Sequence, residues 1–161
     1  MIEKGSKKFM VVSGSLEKRA PNNRRLTGFE QIAKEHGCSV QMVAFPFNST
    51  PTIRRATLRE KLLADQPDGI FCTDDQTALL CIQEARRAGM RAPEDVQVIG
   101  YDGSDYVQEY HPELSTIVQP VEDIADLLVR LLFSRLQKND DQLLDKYVLP
   151  IKLLQRDSLR K

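Results

Sequence analysis

Three aspartates and one arginine in this sequence stand where they could act on a ligand. Asp74 and Asp75 follow the apolar run GIFCT, Asp102 follows VIGY, and Arg25 comes soon after the run KFMVVSG. Clustered carboxylates can bind Mg²⁺ or divide the roles of general acid and base. A guanidinium can donate to two adjacent oxygens of a ligand. Arg25 lies in the first turn of a predicted helix, where a cation opposes the helix dipole, so its position needs a reason.

Two interpretations of the acidic pair remain open from the residues alone. Asp75 can be the cap of a helix that begins near Thr77, because aspartate is a favoured N-cap residue. A phosphoryl-transfer site would need a lysine or a phosphate cradle nearby, and the sequence contains neither G-x-x-x-x-G-K-[ST] nor G-x-G-x-x-G. A Mg²⁺-dependent phosphotransfer enzyme that uses Asp74, Asp75 and Asp102 is therefore a remote alternative. We predict no catalytic residue, no metal site and no cofactor.

Apolar runs of strand length alternate with segments of helical periodicity along the whole chain. The predicted strands are KFMVVSG, SVQMVAF, DGIFCTDD, DVQVIGYD and LSTIVQ, and the predicted helices cover residues 24–36, 50–65, 77–89 and 121–137. Thr50 and Gly37 are predicted helix caps. This alternation predicts an α/β fold with a parallel sheet flanked by helices. Ligands of such sheets bind at the carboxyl ends of the strands, where Phe47 and Gln119 join the aspartates.

The composition places further bounds on function. A chain of 161 residues can form one domain with a core. Its 23 basic and 23 acidic residues cancel, so no overall field attracts nucleic acid or an anionic membrane. No apolar run approaches the roughly 20 residues that span a bilayer, and the N-terminus does not resemble a signal peptide. Three cysteines without metal-binding spacing favour reduced thiols and a cytoplasmic location: Cys38, Cys72 and Cys81.

The helix predicted for residues 121–137 carries a broad apolar stripe that consists of Ile124, Leu127, Leu128, Leu131, Leu132 and Leu136. Acidic and basic residues interrupt the stripe, which favours protein packing over a membrane face. The stripe is too apolar to lie uncovered at the edge of a small domain. We therefore expect this helix to pack on a partner: another part of the same lobe, a second copy of the chain, or a further lobe.

Several of these segments together resemble a known family. RRLTGF, DGIFCTDDQTAL, ARRAGMRAPEDVQVIGYDGSDY, HPELSTIVQP and RDS occur in the order found in the effector-binding core of lactose-repressor-type (LacI/GalR) transcription regulators. The resemblance extends over residues 7–158. Members of that family have an N-terminal helix-turn-helix and two α/β lobes, like periplasmic binding proteins, with an effector between the lobes. The resemblance implies that this chain is the second lobe.

The same resemblance implies a division of the chain and a set of effector contacts. Residues 1–120 would form the lobe proper, residues 121–138 a crossover helix that packs on a missing first lobe, and residues 146–158 a terminal extended segment. The arginine of R-x-x-G-F faces the cleft in the family and matches Arg25, and the Y-D aspartate matches Asp102. Asp74 stands where the family usually has asparagine, which exchanges an amide donor for a charge. Further implied pocket positions are Arg19, Phe47 and Gln119.

By this resemblance the protein is the effector-binding part of a regulator and not an enzyme. The effector would be a sugar or sugar phosphate that closes two lobes and shifts a homodimer between DNA-competent and DNA-incompetent states. Operator DNA would be bound only through a helix-turn-helix domain that this sequence does not contain, and no membrane would be involved. A sugar-binding protein for transport or chemosensing, with the same fold, is the alternative.

Overall fold

In the computed structural model, residues 1–14, 22–45, 48–137 and 146–161 are described. They form six strands: β1 (Lys8–Ser13), β2 (Ser39–Ala44), β3 (Gly69–Cys72), β4 (Gln97–Asp102), β5 (Ser115–Val118) and β6 (Lys152–Leu154). The α-helices of the same residues are α1 (Asn22–Glu35), α2 (Pro51–Asp65), α3 (Asp75–Arg87), α4 (Asp105–Tyr110) and α5 (Val121–Leu136). A short 3₁₀ helix, Ile2–Lys4, precedes β1.

All six strands belong to one sheet with the order β2-β1-β3-β4-β5-β6. The first five are parallel, and β6 pairs antiparallel with β5, Leu153 opposite Ile117. The predicted α/β class with a parallel sheet and flanking helices is confirmed. The carboxyl ends of β3, β4 and β5, which are neighbours, therefore meet at one edge of the sheet.

Local sequence signals explain where the helices begin and end. Thr50 caps α2, since its Oγ1 accepts a hydrogen bond from the Ile53 amide at 3.3 Å, and Pro51 occupies the first turn, where no amide donor is needed. After α1, Gly37 adopts a φ of 68°, a conformation that favours glycine. Both predicted caps are confirmed.

Apolar side chains cover both faces of the sheet. This packing holds in place the strand ends that carry the candidate residues. On one face Met10, Val12, Ile70 and Val98 pack against apolar side chains of α2 and α3, among them Leu58 and Leu62, both fully buried. On the other face Val11, Phe71 and Ile99 pack with Leu26 and Leu159. Phe29 of α1 stacks on Phe71 with ring centroids 4.8 Å apart.

Helix α5 is the exception to this packing, because none of its residues is buried. Leu128 is 62% exposed and Leu132 is 58% exposed, so the structure does not fold this helix back onto its own sheet. An apolar groove of about 380 Å³ runs beside the helix and is lined by Ile124, Leu127, Leu131, Tyr147 and Ile151, among others. Within the described residues, no helix is both long and apolar enough to cross a membrane.

Candidate functional site

Arg25 projects from α1 to the ends of β3 and β4. Its Nη1 donates a hydrogen bond to the Thr73 carbonyl oxygen at 2.6 Å and lies 3.6 Å from Oδ1 of Asp102. The guanidinium carbon also lies 3.7 Å from the centre of the Tyr101 ring, a cation–π distance. A carbonyl, a carboxylate and an aromatic face therefore hold the guanidinium at the edge of the sheet, and they offset its unfavourable place in the first part of the helix.

Asp102 ends β4 in an unusual backbone conformation. Its φ is 118°, a region that residues with a Cβ rarely adopt. Gln119, just after β5, makes two hydrogen bonds with Asp102. Its side-chain Nε2 donates to Oδ1 of Asp102 at 2.8 Å, and its backbone amide donates to the Asp102 carbonyl oxygen at 3.2 Å. Strained backbone of this kind clusters at binding and catalytic sites. The structure thus brings Arg25, Asp102 and Gln119 together.

The surroundings of Asp102 include groups that raise the pKa of its carboxyl and groups that lower it. Partial burial raises the pKa of the Asp102 carboxyl above its ordinary value, and the carboxylates of Asp75 and Asp74 raise it further. The Arg25 cation and the hydrogen bond from Gln119 lower it, but burial and the neighbouring carboxylates together raise it more. The pKa of this carboxyl is therefore raised overall.

Asp74 makes a structural contact at the start of α3, and its implied effector contact stays a prediction. It is the N-cap of α3, because its Oδ1 accepts from the Thr77 amide at 2.7 Å and its Oδ2 accepts from the Thr77 hydroxyl at 2.9 Å. The interpretation of Asp75 as the cap was wrong: an N-cap residue needs extended backbone, which Asp74 has, whereas Asp75 is already the first helical residue. Asp74 lines a separate cavity of about 430 Å³ with Gly14, Phe45 and Arg54.

Asp75 is a buried carboxylate that sequence reasoning did not assign to the site. Only 3% of the residue is exposed. It accepts hydrogen bonds from the Gly103 amide at 2.8 Å, from the Ser104 amide at 3.3 Å and from the Thr116 hydroxyl. Burial raises the pKa of Asp75 above its ordinary value, although these hydrogen bonds oppose the shift. Gly100 leaves the space that the carboxylate occupies, which only the structure shows.

The remaining predicted positions divide between the described and the undescribed parts of the chain. Asp102 and Gln119 line an open cavity of about 580 Å³, whose walls also include Asp105, Glu122 and Asp123. Arg19 and Phe47 lie outside the residues that the structure describes. Over the described ranges, no three His, Cys, Asp or Glu side chains gather in a way that could hold a metal ion.

Fold and sequence together define the class of protein. The family model described as "Periplasmic binding protein-like domain" matches residues 1–159. The chain therefore belongs to the family of periplasmic binding protein-like domains.

Similar proteins place it more narrowly. The sucrose operon repressor of Pediococcus pentosaceus is 35% identical over 150 residues, which are 93% of this chain and 46% of that protein. The crystal structure of the transcription regulator CcpA of Lactococcus lactis matches with a TM-score of 0.80 and 25% identity over 99% of this chain and 58% of that one. These matches confirm the resemblance to LacI/GalR-type regulators. The chain spans about half the length of the curated relatives it matches.

A third match adds information on the fold alone. A LacI-family regulator from Arthrobacter sp. FB24, solved in complex with lactose, has a TM-score of 0.81 at 22% identity. The match covers 99% of this chain and 60% of that chain.

Proposed function

We propose that this chain is one lobe of the effector-binding domain of a LacI/GalR-type transcription regulator, and that its effector is a sugar. The observation that carries the proposal is the pair formed by Arg25 and Asp102 at the strand ends. A guanidinium donates only and a carboxylate accepts only, and their nearest atoms are 3.6 Å apart. Neighbouring sugar hydroxyls, which both donate and accept, match that pair.

Charge favours an uncharged sugar over a sugar phosphate. The cavity beside Asp102 is lined by Asp105, Glu122 and Asp123 as well, and among the described residues that line it none is Lys or Arg. These carboxylates would repel a phosphate dianion. The positive charge of Arg25 compensates little of this repulsion, because Asp102 already lies 3.6 Å from it.

The rest of the regulator follows from the same proposal. A first lobe would cover the exposed apolar face of α5, and the relatives, about twice as long as this chain, have room for it. Residues 1–120 would then be the lobe proper, residues 121–138 the crossover and residues 146–158 the terminal segment. Sugar bound between the lobes would shift a cytoplasmic homodimer between states with different affinity for operator DNA, which a separate helix-turn-helix domain would bind.

The relatives favour a regulator over the alternatives. Two relatives that match nearly all of this chain are a sucrose operon repressor and the transcription regulator CcpA. The Mg²⁺-dependent phosphotransfer alternative gains no support from the geometry: Asp74 and Asp75 both accept hydrogen bonds from protein donors.

The test is a titration of the isotope-labelled chain with sucrose, D-fructose and D-glucose 6-phosphate, followed by amide NMR. We expect a neutral sugar to shift the resonances of residues 101–104 and 119, and Arg25→Ala to weaken that binding by about tenfold or more, the cost of a lost charged hydrogen bond. Arg91→Ala is the matched control, because Arg91 pairs with Asp95 on the surface. Preference for the phosphate, or equal effects of both variants, would contradict the proposal.

A further inference from the structure

We infer that Asp75 is a positioning residue of the sugar site: its buried carboxylate holds Asp102 in the orientation that faces the ligand. The inference rests on the proposed function, because it assigns a role within the same site. It concerns a residue that neither contacts Arg25 nor lines the cavity beside Asp102.

The first support is the set of groups that Asp75 connects. Its Oδ2 accepts hydrogen bonds from the backbone amides of Gly103 and Ser104, the two residues after Asp102, at 2.8 and 3.3 Å. Its Oδ1 accepts from the hydroxyl of Thr116 on β5. One carboxylate at the start of α3 therefore fixes the turn after β4 and the neighbouring strand.

The second support is the backbone that this carboxylate fixes. Asp102 and Gly103 have φ values of 118° and 66°, so two consecutive residues lie in the region that L-residues rarely adopt. Such a turn persists only where its surroundings hold it. The amides that follow Asp102 point at the Asp75 carboxylate, and without that acceptor the turn has reason to relax. Relaxation would rotate the Asp102 side chain away from Arg25.

The third support is the space that the sequence leaves for this arrangement. A Cβ on Gly100 would collide with Oδ1 of Asp75, and a Cβ on Gly103 would collide with Val118. Both residues that flank the Tyr101-Asp102 pair are thus glycines where a side chain has no room. Asp75 also holds β5, because it accepts a hydrogen bond from Thr116 of that strand. Gln119, which donates to Asp102, follows directly after the same strand.

Helix α3 offers a matched control for this role. Glu84 is a second buried carboxylate on the same helix, with a side chain that is 0% exposed. It accepts hydrogen bonds from Arg55, Arg59 and Arg87, and none of its partners belongs to the sugar site. Glu84→Gln therefore removes a buried charge and weakens its hydrogen bonds with the arginines without changing the turn at Asp102.

The experiment compares Asp75→Asn with Glu84→Gln in the 161-residue chain, with sucrose as the probe. Asparagine carries no charge and its NH₂ group only donates, so the charge-assisted hydrogen bonds from Gly103, Ser104 and Thr116 become neutral ones or are lost. We expect Asp75→Asn to move the Gly103 amide and Gln119 side-chain amide resonances and to raise the dissociation constant for sucrose by about tenfold, the usual result of losing a charged hydrogen bond. Glu84→Gln should leave both unchanged even where it lowers the melting temperature.

Each outcome of this experiment decides the inference. Unchanged sucrose affinity in Asp75→Asn, or equal weakening in Glu84→Gln, would overturn it. If the wild-type chain binds neither sucrose nor D-fructose, the proposed function fails separately. The ligand-free Gln119 resonances then decide the positioning role: a shift in Asp75→Asn alone supports it, and no shift refutes it. If Asp75→Asn does not fold, Thr116→Val, which removes only the hydroxyl donor, is judged by the same resonances.

Discussion

Replacing a leucine by alanine on α5 should have far less effect on stability than the same change in the core. Leu58 of α2 is 0% exposed, and Leu132 of α5 is 58% exposed. Removing a buried leucine side chain costs about 2–5 kcal/mol, because transfer energy is lost and a cavity remains. A substitution at an exposed site changes the free energy of unfolding by only about 0.5 kcal/mol.

The assay is urea denaturation followed by circular dichroism at low protein concentration. Leu58→Ala should lower the free energy of unfolding by about 2–5 kcal/mol, and Leu132→Ala by less than about 0.5 kcal/mol. Each kilocalorie per mole corresponds to about 2–4 °C in melting temperature for a domain of this size, so thermal scans separate the two variants as well.

The same pair of variants tests what covers α5. If Leu132→Ala destabilises the dilute chain as much as Leu58→Ala, the helix packs on its own lobe and the exposed face described above is refuted. If the effect of Leu132→Ala appears only at high protein concentration, a second copy of the chain covers the face, because association stabilises by mass action. If the face packs on a first lobe in the longer protein, we expect Leu132→Ala to leave the stability of this chain unchanged at any concentration.

Three further predictions follow from the strand ends and the buried charges. Gly100→Ala should lower the free energy of unfolding by about 1–3 kcal/mol in a thermal scan, because the new Cβ would collide with the Asp75 carboxylate. Burial raises the pKa of Glu84, but hydrogen bonds from three arginines lower it overall. The stability that this network contributes is therefore present above the pKa of a glutamate in the unfolded chain, about 4.3, and is lost as pH falls through the lower pKa of Glu84 in the folded protein. The difference in unfolding free energy between wild type and Glu84→Gln should accordingly shrink in acid. The pKa of Asp102 is raised, so sugar binding should weaken as pH falls through that raised value, and Asp102→Asn should abolish this pH dependence in a titration.

The sequence predicted the sheet and its long helices because their signals are local. Apolar runs and helical periodicity repeat within each element, and residues such as Thr50 and Gly37 act on the backbone beside them. The short helix α4 was not predicted, because its six residues, Asp105–Tyr110, are too few to show a periodic pattern. Its cap, Ser104, was the only local signal.

The site was predictable only as far as strand ends and matched motifs extend. These placed Arg25, Asp102 and Gln119 at one edge of the sheet, and their effector contacts remain a prediction. Two adjacent aspartates look alike in sequence, and which one caps α3 depends on where the backbone turns from extended to helical. The partners of Asp75 are 28 to 41 residues away, so no local pattern could reveal them.

A crystal structure of the protein grown with sucrose tests the central claim most directly. The account predicts sugar hydroxyls within hydrogen-bond distance of the Arg25 guanidinium and the Asp102 carboxylate, at the carboxyl ends of β3 and β4. A sugar bound in the groove beside α5, or at the opposite edge of the sheet with the Arg25–Asp102 pair undisturbed, would contradict it.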